Sequence, residues 1–525
     1  MRSWLKMIKE LTIRPKGERK LRQPPSYSFD EDMNKPLSGV KVKEILSASS
    51  DVVFRDFFLQ GKESIPCLLV VVDGMVDKTQ LDQFILKPLM VDFAGHPEVA
   101  QLTLANVVDR TLQRLLPGLE LKKVFKMGEV LDAILSGDAV IFFGDSIEAL
   151  VFGARGWDKR AVTEPPTEAV VKGPHEGFGE TLRINTSLLR RKIKHPSLRM
   201  ISLKLGSLTN TDLVVTYMDK IASPDIVSEV LRRLNSINMD SALGNGYIEE
   251  MIEDNPYSPF PQVAYTERPD VLAGKLLEGK IGIILDGTPI VVVVPATLTQ
   301  FLNVNEDYYE RPLAVILFRF VRYLGAFVAL LAPSIYIAVT TFHQEIIPTD
   351  LLMNISAGRE GVPFPALLEA IIMMVVLEIL QEAGLRLPKP IGQTMGIVGA
   401  LVIGDAAVKA GLVSPLMVII VGLTAVSNYS IPYYDLSLAV RIIRFPLMIL
   451  AGVLGFFGVS VGIYVIAIHL LSLRSFGVPY LSPISPLRIR ALLQDTFVRV
   501  PRWALKRRPQ LIDVKEPRSG GKGKR

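Results

Sequence analysis

Tyr323–Phe342 reads YLGAFVALLAPSIYIAVTTF, twenty residues without a charge. At 1.5 Å per residue such a helix crosses roughly 30 Å of hydrocarbon. A chain folding in water has no use for so much exposed Leu, Ile and Val, so this stretch predicts a membrane helix. Just upstream, Pro312 suits a first helical turn, where its missing N–H costs nothing. Arg319 and Arg322 lie between the two and are expected to snorkel to the interface.

Downstream, residues 343–365 (HQEIIPTDLLMNISAGREGVPFP) read as a polar loop on the far side. The second apolar segment, Ala366–Gln381, carries Glu369 and Glu378, with Glu382 just beyond. A carboxylate inside a membrane helix costs about 2.5–3.5 kcal/mol on insertion scales, so each is a candidate ion-path residue. Glu378 and Glu382 share one helix face, and Glu369 points nearly opposite. The bland alternative places Glu369 and Glu382 at the two interfaces. Gly392, Gly396, Gly399 and Gly404 follow at near-helical spacing, which allows close helix approach. Asp405 and Lys409, four apart, are a candidate pair on the same path. A short segment from Pro415 and a long run from Phe445 to Leu473 complete five apolar stretches. If both polar ends are cytoplasmic, the number of crossings is even. The Gly-rich pair around Asp405 and Pro415 is then the place for a half-crossing, because irregular backbone is tolerated only beside protein or water.

The polar remainder divides by composition. Residues 1–40 read as a mobile basic arm, 41–160 and 161–310 as two α/β subdomains, 311–473 as the multi-pass membrane domain and 474–525 as a basic cytoplasmic tail. Ser64–Val72 (SIPCLLVVV) and Ala139–Phe143 (AVIFF) are buried-strand runs. Asp77 is placed to cap a helix starting near Thr79. The segment from Ile134, ILSGDAVIFFGDSIEALV, repeats as LLEGKIGIILDGTPIVVVV from Leu276, with Gly137 against Gly279. The fold class is therefore an α/β soluble region of two related subdomains followed by an all-α transmembrane bundle. Asn255–Pro261 (NPYSPFP) reads as a rigid turn, or as a docking loop for a partner or the membrane surface.

Formal net charge is +6, and the excess gathers near the ends, which marks cytoplasmic flanks touching anionic lipid rather than nucleic acid. The N-terminus lacks the apolar core of a secretory signal. Cys67 is the one cysteine, which excludes an intrachain disulfide. The five histidines have no metal-ligand spacing, and P-loop, GxGxxG, GxSxG and HExxH motifs are missing, so neither cofactor, metal nor catalysis is expected.

Several long motifs then carry a resemblance. DFFLQG from Asp56, VVVDGMVDK from Val70, ILKPLM from Ile85, the run from Arg311 through Leu352, the run from Ser356 through Pro415, and RIIRFPLMIL from Arg441 resemble the A subunits of GerA-type spore germination receptors, a family that includes the SpoVAF-type paralogues. The resemblance implies a protein of the spore inner membrane with its soluble domain in the core cytoplasm. It implies work with a multi-spanning B subunit and a lipoprotein C subunit, and assembly, as a pentamer, into a nutrient-gated cation channel. The second segment, with the loop around Arg359 and Glu360, becomes a candidate gate. Rings of carboxylates from equivalent helices are one way to select cations, and one helix cannot build a ring alone. A SpoVAF-type channel and a secondary transporter are the alternatives. A transporter would use Glu378 or Asp405 as a relay and should show an inverted repeat, which these 160 membrane residues lack.

Overall fold

A computed structural model describes residues 37–60, 64–92, 102–104, 106–112, 121–156, 164–165, 167–168, 170–386 and 404–501. The basic arm up to residue 36, His96, Gly392, Gly396, Gly399 and the basic residues from 502 onward lie outside them. Contacts divide the chain into two units: one contains the described parts of 1–253, 263–295 and Pro501, the other 254–262 and 296–500.

The first unit holds two five-stranded antiparallel sheets. One contains β1 (Val52–Gln60), β2 (Ser64–Val72), β3 (Leu121–Val124), β4 (Ala139–Phe143) and β5 (Ala149–Phe152), in the order β1-β2-β4-β5-β3. The other contains β6 (Leu198–Leu205), β7 (Thr211–Met218), β8 (Ala264–Thr266), β9 (Ile281–Leu285) and β10 (Val291–Val294), in the order β6-β7-β9-β10-β8. Position for position the two orders are the same, as the internal repeat predicts. Alternation sets the faces: Cys67, Leu69 and Val71 join Ile141 and Phe143 in one core, while Val70 and Val72 join Val140 and Phe142 in another. Both faces are covered, which is why AVIFF is apolar throughout.

Helix α1 (Gly39–Leu46) adds Val42 and Leu46 to the second core. Asp77 accepts from the amides of Thr79 and Gln80 and caps the single turn Lys78–Leu81. Helix α2 (Met127–Leu135) leads through Gly137, at φ +92°, into β4. In the second half α5 (Pro269–Leu277) leads through Gly279, at φ +94°, into β9. A side chain at either position would be strained, so both repeats keep glycine there. Helices α3 (Leu182–Lys192) and α4 (Pro224–Ser236) lie between these. The two halves are joined by a buried ion pair: Arg190 of α3 donates from Nε and Nη2 to Asp51, both at 2.9 Å.

The second unit is helical: α6 (Pro312–Phe342), α7 (Thr349–Arg359), α8 (Ala366–Arg386), α9 (Gly404–Lys409), α10 (Pro415–Tyr429) and α11 (Tyr434–Ser472). Among the described residues, α6 and α11 are the two helices long and apolar enough to cross a membrane. Helix α8 spans 21 residues but carries its three glutamates, and α10 has 15.

Three expectations need correction. The stretch 343–365 is not simply a loop, because it contains α7. Residues 474–500 are not a tail: strands β11 (Arg474–Ser475) and β12 (Val478–Pro479) pair, and Leu298 N–H donates to the Tyr480 carbonyl at 2.9 Å. The last apolar run is not one tilted span. Gly455 breaks α11 with φ 60° and ψ −141°, and the chain folds back on itself. A Cβ on Gly462 would lie 2.3 Å from Leu447, and one on Gly458 would lie 2.0 Å from the Leu450 carbonyl oxygen. In a straight helix those residues would stand roughly 12–23 Å apart. Both ends of α11 return to one level, because the Phe301 ring meets Tyr433 at 5.4 Å and Tyr480 at 6.5 Å.

The directions of the helices follow from their contacts. The Gly455 turn packs on Phe342 and His343, at the far end of α6. Leu367 packs on Gly452 and Glu378 reaches Arg441, so α8 descends from that far end against the first arm of α11. Tyr336 meets Ser414 and Gly325 abuts Ser430, so α10 also descends. Among the described residues, then, α6 runs up, α8 and α10 run down, and the two arms of α11 run up and down.

Candidate functional site

Among the described residues, three groups of buried charge sit in the helical unit. At the base, Asp307 accepts from Arg319 Nε at 2.9 Å and from Arg322 Nη1 and Nη2 at 2.9 and 2.8 Å. Arg319 also donates to the main-chain carbonyls of Asp495 and Thr496, and Tyr308 donates its hydroxyl to the Asp495 carboxylate. Arg319 is fully buried, so these arginines do not snorkel. A buried guanidinium persists where its charge and donors are matched, and Asp307 supplies that match.

In the middle, Glu378 of α8 accepts from Arg441 Nε at 2.7 Å and again from Arg441 Nη2. Arg444 Nη1 lies 3.9 Å from the other carboxylate oxygen. Arg444 is itself buried, donating from Nε to the Ala329 carbonyl on α6 at 2.7 Å and facing the Met374 sulfur on α8. One carboxylate and two arginines thus stitch three helices together.

Toward the far end, Glu369 is fully buried. Its carboxylate accepts from the Ser414 amide at 2.7 Å and the Ser414 hydroxyl at 2.6 Å. Ser414 is the N-cap of α10, so the anion rests on a helix N-terminus, where unpaired amides and the dipole favour it. Arg359 Nε stands 3.9 Å from its other oxygen.

The predicted residues are therefore dispersed. Glu369 and Glu378 face different partners, as their spacing requires. Arg359 joins Glu369, whereas Glu360 and Glu382 are exposed. Asp405 and Lys409 pair at 2.6 Å on an exposed surface, a contact worth a few tenths of a kcal/mol. Sequence reasoning missed Asp307, Asp495, and Arg441 and Arg444 as partners of Glu378. Arg441 and Arg444, three apart inside an apolar run, were the available signal, since intramembrane arginines call for an anion.

The profile of a family described as Bacillus/Clostridium GerA spore germination protein matches residues 40–511. The chain is 43% identical over 489 residues to the uncharacterized membrane protein YfkQ of Bacillus subtilis (strain 168), covering 92% of this chain and 93% of that one. It is 42% identical over 485 residues to spore germination protein KA of the same organism, covering 92% and 88%. Among solved structures it is similar to the N-terminal domain of the A subunit of the Bacillus megaterium spore germinant receptor GerK3. That likeness has 31% identity and a TM-score of 0.39, and it covers 51% of this chain and 97% of the other.

Proposed function

The chain belongs to the family of Bacillus/Clostridium GerA spore germination proteins, and from that premise we propose that it is the A subunit of a nutrient receptor in the spore inner membrane. It works with a B-type and a C-type subunit and oligomerises, as a pentamer, into a channel whose opening releases ions and starts germination. Its role is conduction rather than catalysis. The observation that carries this reading is the Glu378 clamp. A carboxylate between two arginines inside apolar helices is costly to keep, and such residues mark ion paths. The clamp also supplies a gate: Glu378 contributes its charge to a passage only when Arg441 lets go. Nutrient binding at the complex favours the released state, and it can shift the balance only by its differential affinity for the two states.

The test is ion flux from the purified chain in liposomes, with and without its B-type partner, beside the mass of the complex. Flux that appears with the partner and nutrient, and without nutrient in Arg441→Gln, is expected. A tight membrane from a monomer under every condition would move the chain to a scaffold role.

A further inference from the structure

Helix α6 carries an uncovered seam. Leu313, Leu317, Phe320, Leu324 and Phe327 follow one another at intervals of four, three, four and three, and each is between 48% and 83% exposed. The next residue on the same face, Leu331, is buried at 3%. A 4-3 repeat keeps apolar side chains on one line along a helix and is the pattern of a coiled-coil seam. Leu317 and Leu324 take one core position of the heptad, and Leu313, Phe320 and Phe327 the other.

Lipid alone does not cover this line. Helix α6 has 31 residues, about 46 Å at 1.5 Å each, and still spans ~36 Å when tilted by 40°. The hydrocarbon is roughly 30 Å thick. With Phe342 at the far side, beside the Gly455 turn, the first turns of α6 project below the bilayer. The Asp307–Arg319–Arg322 cluster sits at that depth. At the average tilt of about 20°, Leu313, Leu317 and Phe320 are thus outside the apolar phase, while Leu324 and Phe327 are inside it. A surface that crosses this boundary on one unbroken line suits another helix.

We propose that the seam packs against the same seam of further copies of this chain, as parallel α6 helices around a common axis. Copies inserted in one membrane with one orientation are parallel, which a heptad in register requires. The flanking residues Ala314, Ile316, Val321, Tyr323 and Val328 carry no charge, so like helices meet without like-charge repulsion and no flanking ion pair selects a different partner. The inference rests on the oligomeric channel reading and supplies its assembly surface.

Single cysteines placed by Leu317→Cys and Leu324→Cys in a full-length Cys67→Ser background, oxidised in nanodiscs, are expected to give disulfide-linked multimers of this chain. Phe318→Cys, also exposed but off the line, is expected to give few. Leu313→Ser with Leu317→Ser should lower the native mass toward the monomer while leaving the thermal unfolding midpoint within a few degrees. Equal linkage at all three positions, or none at the seam, overturns the seam whether or not the protein is oligomeric. Linkage of the seam cysteines to a co-expressed B-type subunit, instead of to a second copy, overturns the choice of occupant. Neither readout uses ion flux: a linked seam without flux sinks the channel alone, and flux without a linked seam sinks this interface alone.

Discussion

Glu378 sits among more positive charge than it carries. Arg441 and Arg444 both address it, 63 and 66 positions later in the chain. Removing one member of such a buried group leaves the others without their counter-charge, which costs about 3–5 kcal/mol. Glu378→Gln is therefore expected to lower the unfolding midpoint of the detergent-solubilised protein by several degrees. Glu378→Gln with Arg441→Gln should recover part of the loss, and a single variant as stable as wild type would show that the clamp does not hold the helices. The cost of the carboxylate was legible in the sequence, but its partners were not, because pairing at such separation depends on packing. Lys280 is a second residue whose state is set by burial. It follows Gly279 at the place where Asp138 follows Gly137, and Asp138 is held by Arg155 at 2.7 and 2.8 Å. Burial first, then repulsion from Lys275, pushes Lys280 down to about 7 from the usual 10.5. Its folded pKa is the lower one, so the unfolded chain binds the extra proton between those values and stability rises with pH across that window. The slope is at most about 1.4 kcal/mol per pH unit. Lys280→Met should raise the unfolding midpoint most at or below pH 7 and flatten its rise toward pH 10. A wild-type midpoint that falls across this range would refute the assignment.

At the scale of elements, Gly455 changes what a hydrophobic run means. Thirty-nine residues from Tyr434 to Ser472 exceed what one span needs, and length alone suggests tilt. The turn divides them into arms of 21 and 17 residues, roughly 31 and 26 Å, each close to the hydrocarbon thickness. The fold-back relies on glycine three times. Gly455 occupies the left-handed region with Phe342 and His343 within 3 Å of where a Cβ would stand, and Gly458 and Gly462 let the arms touch. Periodicity reads right through such a turn, because both arms are apolar, whereas the paired sheets were legible because the strand pattern recurred with its glycines. The hairpin predicts sidedness. In a Cys67→Ser background, Tyr434→Cys and Arg474→Cys should react with an impermeant thiol reagent from one side of the membrane, and Ile346→Cys from the other. Reaction of Tyr434→Cys and Arg474→Cys from opposite sides would restore the single span.

At the scale of the whole molecule, the segment Asp254–Gln262 stands out, since its contacts place it in the helical unit although the chain on both sides belongs to the α/β unit. Its proline-rich sequence reads first as a rigid surface turn, with a docking loop for a partner or the membrane surface as the alternative, and its contacts within the chain are not legible locally because they lie some 210 residues later. Gln262 and Asn255 exchange hydrogen bonds and close the loop. Ser258 then meets His469 Nε2 at 2.9 Å at the end of α11, the Phe260 ring lies 6.1 Å from His469 and 6.5 Å from Tyr480, and Ser475 donates to the Gln262 carbonyl at 2.7 Å. The loop is thus a closed turn packed on this chain's own last hairpin. Part of its hold comes from the buried Phe260 ring, and truncating such a ring costs about 3–5 kcal/mol in a core and less where the site collapses. Because the loop is short and Pro256, Tyr257 and Pro259 are exposed, loss of that ring should free it locally instead of unfolding the unit. Phe260→Ala is accordingly expected to speed protease cleavage between residues 253 and 263 severalfold while the helices keep their unfolding midpoint. If the ring couples nutrient binding to the last hairpin, the same variant should insert and assemble normally yet need more nutrient to conduct. Unchanged cleavage would show that the backbone bonds alone retain the loop, and unchanged nutrient dependence with faster cleavage would separate docking from signalling.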